Sequence, residues 1–342
     1  MTISLANRVL PKPVRDGIGR AIDPYVRLRA NGDGQCARKT RDERIAFYHQ
    51  MVAQLWELGY RIRKPESLAG KHVTALMNHW HSEGAAATTL HLRLSMIRVM
   101  CRFMDKHGVV KNIEDYLPAD EVRRHTAAKE SKAWAAKEVD PLEIIELAKT
   151  IDERLAVMLA MQHYFGLRVK ESIEIRPANA VVEGGKAIEL YEGTKGGRLR
   201  RVPIETPEQV TVIEWARRVA ADGNSKRLRW SGISWKQARN KFYNLVRRRL
   251  GISGTALEVT PHGLRHGYAQ RLYRAETGLP TPVQGGALGK IDRETHRTAS
   301  LHVSRALGHG RVDVVAGYYG SYGHALRQTG PVTMTYKIST PA

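Results

Sequence analysis

The stretch His262-Gly263-Leu264-Arg265-His266 puts two histidines and an arginine within five consecutive positions of a 342-residue chain. Downstream, Leu307-Gly308-His309 is followed nine positions later by Tyr318. Upstream, Gly166-Leu167-Arg168 places an arginine directly after a glycine that suits a helix end, and Lys195 lies in the run Gly193-Thr194-Lys195-Gly196-Gly197. Cationic, imidazole and phenolic side chains together are the types needed for chemistry on an anionic group.

Each of these segments also has an ordinary structural explanation when it is taken alone. Arg168 can form a surface ion pair with Glu171, and a lysine in a Gly-rich turn can serve solubility only. Two histidines four positions apart can form half of a metal site, although no carboxylate or cysteine near His262 and His266 completes one. A pair of adjacent tyrosines, here beginning at Tyr318, is most often packing. The interpretation therefore depends on the segments together.

The net charge of the chain points to a polyanionic partner. Lysine and arginine number 55 against 34 acidic residues, which leaves a formal charge of +21. So large an excess is typical of proteins that bind nucleic acid, although a basic protein that is merely soluble is the alternative.

The positive charge is concentrated between Lys226 and Arg249, where nine basic residues occur and no acidic residue does. Four apolar residues in this region recur at helical spacing: Trp235, Ala238, Phe242 and Leu245. A helix with one apolar face and one basic face is expected to pack on a core and lie along a phosphate backbone. Such contacts give affinity and register without reading the DNA sequence.

In their order along the chain, the segments resemble the catalytic signature of the tyrosine recombinase (phage integrase) family. That signature is an arginine after a helix, a hairpin lysine, a His-x-x-Arg, a Leu-Gly-His and a tyrosine nine residues later. The resemblance covers most of the chain and implies six catalytic residues: Arg168, Lys195, His262, Arg265, His309 and Tyr318.

The resemblance implies that Tyr318 attacks a DNA phosphodiester and forms a 3′-phosphotyrosine link, which releases a 5′ hydroxyl. Arg168 and Arg265 would bind the non-bridging oxygens, because planar guanidinium forks suit the charge that builds there in the transition state. Since the link conserves the energy of the broken bond, neither ATP, a metal nor any other cofactor is expected. The sequence contains no GxxxxGK[ST] loop.

The remaining positions are assigned to proton transfer and orientation. His262 is the expected general base, and His309 is expected to donate a hydrogen bond to the same phosphate. Lys195, at a hairpin tip, would protonate the departing 5′ oxygen. Glu171 is expected to orient the site rather than to react.

The pattern predicts a mainly α protein with a small antiparallel sheet, an α+β fold in which an all-α core-binding domain precedes the catalytic domain. Five segments are expected: a basic, loop-like segment 1–40, a helical DNA-binding domain 41–110, a linker 111–138, a catalytic domain 139–325 with an insertion near 275–300, and a tail 326–342.

Helix signals define the first of these domains. A capping box at Thr40 and Glu43 predicts a helix start. Further helices are expected over 71–81 and along the stripe Leu90, Leu94, Ile97, Cys101 and Met104.

The second domain opens with an N-cap at Asp140, ahead of Pro141. A buried helix is expected from Asp152 to Tyr164. Alternating residues at 188–190 and 202–204 predict the two strands of a hairpin, and further helices are expected from Thr206 and over 234–250.

Two features depart from the family pattern. Arg265 and His309 are 44 positions apart, which is longer than usual, and the extra material at 275–300 is expected to be a surface insertion that contacts DNA or a neighbouring protomer. Only 24 residues follow Tyr318, so any tail that exchanges between protomers would be short.

The expected partner is double-stranded DNA carrying paired recombination sites, with a homotetramer implied by the resemblance. Cys36 and Cys101 form no CxxC motif, which suits a reducing cytoplasm, and a nucleoid-associated location follows from the partner. No membrane segment is expected, because the longest apolar run is short and interrupted.

Three functions remain open from the sequence. A site-specific recombinase that integrates or excises a mobile element is the first. A type IB topoisomerase-like strand transferase and a non-catalytic DNA-binding regulator with the same fold are the alternatives.

Overall fold

The chain divides into two units, Met1–His125 and Thr126–Ala342. In this computed structural model the described residues are 5–31, 34–194, 199–223, 225–286, 289–309 and 311–323. The division falls inside the predicted linker 111–138. The tail 326–342 and Lys195 lie outside the described residues.

The first unit is built from helices. They are α1 (Leu5–Val9), α2 (Lys12–Val26), α3 (Arg38–Glu57), α4 (Gly70–Ser82) and α5 (Ala87–Phe103). The helix predicted over 71–81 is confirmed as α4. The stripe on α5 is confirmed too, because Leu90, Leu94, Ile97 and Cys101 are buried there.

The expectation that residues 1–40 are a loop-like segment outside the core is wrong. Helix α2 buries Ile18, Ile22 and Val26 in the same cluster as the α5 stripe. The four-residue spacing of these side chains places them on one face of a helix, while Arg20 and Asp23 between them are exposed. The high density of basic residues hid this spacing.

The predicted capping box at Thr40 and Glu43 is also wrong. Helix α3 begins two residues earlier, at Arg38, with Ala37 as its N-cap residue. Glu43 instead forms an exposed ion pair with Lys39, one turn before it in the helix.

The second unit combines helices with a small sheet. Its helices are α6 (Pro141–Ile151), α7 (Glu153–Phe165), α8 (Val169–Glu174), α9 (Pro177–Ala180), α10 (Pro207–Ala221), α11 (Trp235–Arg248), α12 (Pro261–Thr277), α13 (Arg293–Ala306) and α14 (Ala316–Tyr319), and its strands are β1 (Val181–Val182), β2 (Ala187–Leu190) and β3 (Arg200–Pro203). The predicted mainly α fold with a small antiparallel sheet is confirmed.

The sheet has the order β1-β2-β3, with both pairs antiparallel. Ala187 pairs with Pro203 and Leu190 pairs with Arg200, which confirms the predicted hairpin. The two-residue strand β1 was not predicted, because two residues are too few to show alternation.

Helix α7 is the centre of the second core. It contacts α6, α8, α10 and α12, and nearly every residue along it is buried. The Asp152 carboxylate accepts a hydrogen bond from the Leu155 amide at 3.0 Å and caps its start. Gly166, at φ +58°, ends the helix in a left-handed conformation that favours glycine, and this turn delivers Arg168 to the next helix.

The segment predicted as an insertion at 275–300 is helical at both of its ends. Helix α12 continues to Thr277, and α13 begins at Arg293 behind the N-cap residue Asp292. Ala299 and Ser300 are buried. The expectation of a surface insertion throughout is therefore wrong, because Ala299 and Val303 place one face of α13 in the core.

Candidate active site

Arg265, on the first turns of α12, joins three segments of the second unit. Its guanidinium is fully buried and donates from Nε to the Tyr318 hydroxyl at 3.1 Å. One Nη group donates to the carbonyl of Leu307 at 2.5 Å, and the other donates to the carbonyl of Gly166. The ends of α7 and α13 and the tyrosine on α14 are thus tied to one side chain.

The Tyr318 hydroxyl is held by two predicted site residues. Besides the bond from Arg265, it lies 3.2 Å from Nε2 of His309, which itself lies 3.4 Å from an Arg265 Nη. The side chain is only 7% exposed. Arg265 and His309, which are 44 positions apart in the sequence, therefore converge on the Tyr318 oxygen.

The backbone of Tyr318 is held as well. Its carbonyl accepts hydrogen bonds from Nδ1 of His266 at 3.2 Å and from Nε2 of Gln270 at 3.3 Å. Since α14 is only four residues long, these bonds to α12 set its position.

The neighbouring tyrosines point elsewhere. Tyr319 is fully buried, and its hydroxyl donates to Oγ of Ser300 at 3.1 Å. Burial raises the pKa of Tyr319, so its phenolate is disfavoured. The Tyr322 hydroxyl donates to the Ile291 carbonyl at 3.0 Å.

Arg168 lies at the N-terminus of α8 and is held by Glu171. Nη1 of Arg168 donates to Oε1 of Glu171 at 2.5 Å, and the Arg168 amide donates to Oε2 at 2.8 Å. Oε2 of Glu171 accepts a further hydrogen bond from Nη1 of Arg200 at 2.5 Å. Burial opposes ionisation of Glu171, but the guanidinium groups outweigh it and hold the pKa of that carboxyl below its usual value.

His262 is exposed on α12, beside this cluster. Desolvation by the surrounding protein and the nearby charges of His266 and Arg265 lower the pKa of His262 to about 4. The imidazole is therefore neutral near pH 7 and able to accept a proton. Its ring lies 5.8 Å from the Tyr318 ring, whereas His309 directly contacts the hydroxyl.

A groove of about 710 Å³ runs from Arg168 and His262 along helix α11. Arg239, Tyr243 and Arg247 line it, and they are spaced by four positions on one face of the helix. Both guanidinium groups lie over the Tyr243 ring, with Cζ of Arg239 5.9 Å and Cζ of Arg247 5.3 Å from the ring centroid. The predicted basic face of α11 thus borders the site.

Several basic residues that the sequence assigned to this face are engaged within the protein. Arg227 and Arg229 both pair with Glu174. Lys241 pairs with Asp152 at 3.2 Å and lies 4.3 Å from the Trp230 ring. Arg200 is buried in the site. The positive surface is therefore narrower than the count of basic residues predicts.

The hairpin that carries Lys195 starts beside the same site. A Cβ on Gly193, which has φ +82°, would lie 2.8 Å from the backbone of Lys170, in the first turn of α8. Only glycine permits this approach. The side chain of Lys195 itself lies outside the described residues.

Sequence reasoning missed Arg200, His266 and Gln270 as parts of this site. A signal for Arg200 was present, because Arg200 and Val202 alternate with Arg201 along β3 and share one face. No sequence signal marked Gln270.

The described ranges contain no group of three or more histidine, cysteine or acidic side chains that could hold a metal ion. None of their helices is both long and apolar enough to cross a membrane.

A buried arginine and a histidine contact a tyrosine hydroxyl close to His262, which lines a basic groove. Such a set of side chains suits phosphoryl transfer to a tyrosine. Two known protein families match parts of this chain and agree with this chemistry. The family described as "Integrase" matches residues 125–271, and the family "Phage integrase, N-terminal" matches residues 25–110.

Two curated relatives are named as tyrosine recombinases. The tyrosine recombinase XerC of Mesorhizobium japonicum is 28% identical over 197 residues, covering 55% of this chain and 61% of that protein. The chain therefore spans about three fifths of the length of this relative. XerC of Proteus mirabilis is 25% identical over 67% of this chain and 73% of that protein.

Solved structures show the same fold. A lambda integrase dimer bound to a COC′ core site has a TM-score of 0.56 at 17% identity, covering 94% of this chain and 99% of that one. The Tn1549 transposon integrase in complex with a circular intermediate DNA has a TM-score of 0.56 at 14% identity, covering 92% and 98%. The chain belongs to the tyrosine recombinase family, whose members cleave and rejoin DNA.

Proposed function

We propose that this protein is a site-specific DNA recombinase that cleaves and rejoins duplex DNA through Tyr318. The observation that carries the proposal is the Tyr318 hydroxyl, which Arg265 and His309 contact close to His262, a residue that lines the basic groove. The groove binds the phosphate backbone, and His262 and Arg168 connect it to the nucleophile.

The reaction exchanges one phosphoester for another. The Tyr318 oxygen forms a bond to the scissile phosphorus while the bond from phosphorus to the 5′ oxygen breaks. The tyrosine proton passes either to the neutral imidazole of His262 or to His309, which lies nearer the hydroxyl. Lys195 supplies the proton that the departing 5′ oxygen needs. A 3′-phosphotyrosine and a free 5′ hydroxyl result, and the reverse reaction with another 5′ hydroxyl completes strand exchange.

Arg168 and Arg265 neutralise the charge on the non-bridging oxygens. Arg168 is partly exposed toward the groove and presents its guanidinium to the incoming phosphate. Arg265 holds the tyrosine oxygen and adds positive charge behind it. A preorganised pair of this kind stabilises charge that develops only in the transition state.

The substrate we propose is a pair of specific duplex sites, bound by four copies of this chain. A lambda integrase tetramer bound to a Holliday junction has a TM-score of 0.56 with this chain, which supports such an assembly. Integration or excision of a mobile element, on nucleoid DNA in the cytoplasm, is the setting that fits. The similarity to a transposon integrase supports it.

Covalent capture tests the proposal. The protein is incubated with sheared genomic DNA of its source and denatured, and the DNA that remains attached is sequenced. One recurring sequence with a fixed cleavage position is expected for a recombinase. Attachment without sequence preference, together with relaxation of any supercoiled plasmid, would indicate a topoisomerase. Binding without attachment would indicate a regulator, and the Tyr318→Phe variant gives the background.

A further inference from the structure

We propose that Arg200, which no sequence pattern assigned to the site, is a positioning residue for DNA cleavage. The proposal rests on the proposed recombinase function. Arg200 lies on β3 and is 2% exposed, so it cannot contact DNA directly. Its effect must pass through the residues that it holds.

Arg200 bridges three segments of the site with all of its donor groups. Nε donates to the carbonyl of Ala306 at 2.8 Å, at the end of α13. Nη1 donates to Oε2 of Glu171 at 2.5 Å, on α8. Nη2 donates to the carbonyls of Phe165 and Gly166 at 2.9 and 3.3 Å, at the end of α7. A planar fork with five donors is the side chain that suits such a set of acceptors.

Two of the groups that Arg200 binds, Glu171 and the Gly166 carbonyl, also hold the catalytic arginines. The Gly166 carbonyl also accepts from Arg265. The residue after Ala306 is Leu307, whose carbonyl accepts from Arg265 at 2.5 Å and from Arg168 at 3.4 Å. One buried side chain thus fixes the carbonyl cradle around both catalytic arginines.

Arg200 also fixes the turn that presents His309. A Cβ on Gly308, at φ +66°, would lie 2.8 Å from Cδ of Arg200. The stem of Arg200 therefore packs directly against the residue before His309. Any shorter side chain at position 200 would leave this turn without support.

The two carboxylate oxygens of Glu171 bind different partners. Oε1 binds the Arg168 guanidinium, while Oε2 is occupied by Arg200 and by the Arg168 amide. Without Arg200, Oε2 is released to form a second bond to the Arg168 guanidinium, because two parallel bonds are the preferred geometry of such pairs. Both Nη groups of Arg168 would then face Glu171. Arg200 therefore keeps Arg168 available to the scissile phosphate.

The test compares Arg200→Met with Arg201→Met. Arg201 is the adjacent residue on β3, lies on the opposite face, is about half exposed and pairs with Glu183, so it controls for loss of one positive charge from this strand. Single-turnover formation of the covalent adduct is measured on a duplex carrying the site identified by capture. Two substrates are used, one with a normal scissile phosphate and one with an uncharged methylphosphonate at that position.

We expect Arg200→Met to lower the cleavage rate by about 100-fold on the normal phosphate, because the loss misplaces Arg168. The dissociation constant for DNA should stay within about twofold, since the guanidinium is buried away from the groove. On the methylphosphonate, which needs less charge neutralisation, the defect should shrink at least about tenfold. Arg168→Ala should show the same relief, and Arg201→Met should match the wild type on both substrates.

Arg200→Met leaves a buried carboxylate with one partner fewer, and such a loss can destabilise a protein. Arg200→Lys keeps the charge without the fork and is measured in parallel; we expect an intermediate defect with the same relief. Equal defects on the two substrates, or adduct formation at the wild-type rate, would overturn the proposal. A wild-type protein that forms no adduct on any DNA would instead refute the recombinase function.

Discussion

At the scale of single residues, the orientation of three nearby tyrosines decides which one reacts. Adjacent helical residues are rotated by about 100°, so Tyr318 and Tyr319 cannot face the same group. The Tyr318 hydroxyl meets Arg265 and His309, while the Tyr319 hydroxyl meets Ser300 in the core. Of these two, only Tyr318 contacts the predicted site residues, which is why we propose it as the nucleophile.

Replacement of Tyr318 by phenylalanine keeps the ring and removes the attacking oxygen. Tyr318→Phe should bind DNA as the wild type does but form no covalent complex with a nicked suicide substrate on a denaturing gel. Tyr319→Phe and Tyr322→Phe should still form the complex. A complex formed by Tyr318→Phe and lost in Tyr319→Phe would show that the nucleophile is Tyr319.

The role of Lys195 can be tested by changing the leaving group. A sulfur in place of the bridging 5′ oxygen departs as a thiolate, which needs no proton, because a thiol is far more acidic than an alcohol. Lys195→Ala should cleave a normal phosphodiester about 100- to 1,000-fold more slowly than the wild type and recover most of that loss on the phosphorothiolate. Arg168→Ala serves as the control and should not recover. An equal defect of Lys195→Ala on both substrates would exclude its role as general acid.

Residue identity was easier to predict than residue environment. The order of the motifs gave the positions of Arg168, Arg265, His309 and Tyr318, because each is a chemically distinctive residue at a recognisable spacing. The burial of Arg200 escaped the same reasoning, since three arginines within four positions read as a solvated cluster. The alternation along β3 places Arg200 and Val202 on one face, but it does not by itself show that this face is the buried one.

At the scale of elements, helix α11 connects the core of the second unit to the groove. Its apolar face buries Ala238, Phe242 and Val246, and its opposite face carries Arg239 and Arg247. The apolar spacing predicted this helix, and Ser234 caps it as a capping box with Gln237. Which basic residues remain available could not be predicted, because the partners of Lys241 and Arg227 come from distant parts of the chain.

The groove residues of α11 should determine how binding depends on salt. Arg239→Gln and Arg247→Gln should each weaken binding to all duplex sequences and reduce the log–log salt slope by about 0.9. Lys241→Gln is the matched control on the same helix; because Lys241 is paired with Asp152, its slope should match that of the wild type. Titrations between about 50 and 200 mM salt measure these slopes. Equal slopes for all three variants would remove the groove from the DNA interface.

At the scale of the whole molecule, the sequence predicted the existence of the two units better than it predicted which helices belong to the core of each. Helical periodicity and the hairpin signal located both cores. The sequence did not reveal that α2 belongs to the first core or that α13 belongs to the second. Charged residues and glycines interrupt α2, polar residues dominate α13, and only a narrow stripe of each helix is buried. Packing of that stripe against distant helices decides its burial, and the distant partner is not visible locally.

Buried neutral histidines give the whole protein an acid-sensitive stability. Desolvation lowers the pKa of His163 to about 3 and that of His266 to about 4, against an ordinary value near 6.5. At a pH between the lowered pKa values and 6.5, these histidines are protonated in the unfolded chain but neutral in the folded chain. Stability is therefore greatest above about pH 6.5 and falls as the pH decreases toward 4.

The free energy of unfolding should fall on acidification from about pH 6.5 to about pH 5, with each of these histidines contributing up to about 1.4 kcal/mol per pH unit. His163→Gln isolates one contribution, because Nδ1 of His163 has no hydrogen-bond partner within the described part of the chain and a neutral amide cannot take up the proton. Urea unfolding at several pH values should show a shallower decline for His163→Gln than for the wild type, by about one proton. Carboxylates with lowered pKa, such as Glu171, act mainly below their ordinary value of 4.5, so they do not obscure this window. If the free energy of unfolding of the wild type increased on acidification from about pH 6.5 to about pH 5, burial of these histidines in the neutral form would be contradicted.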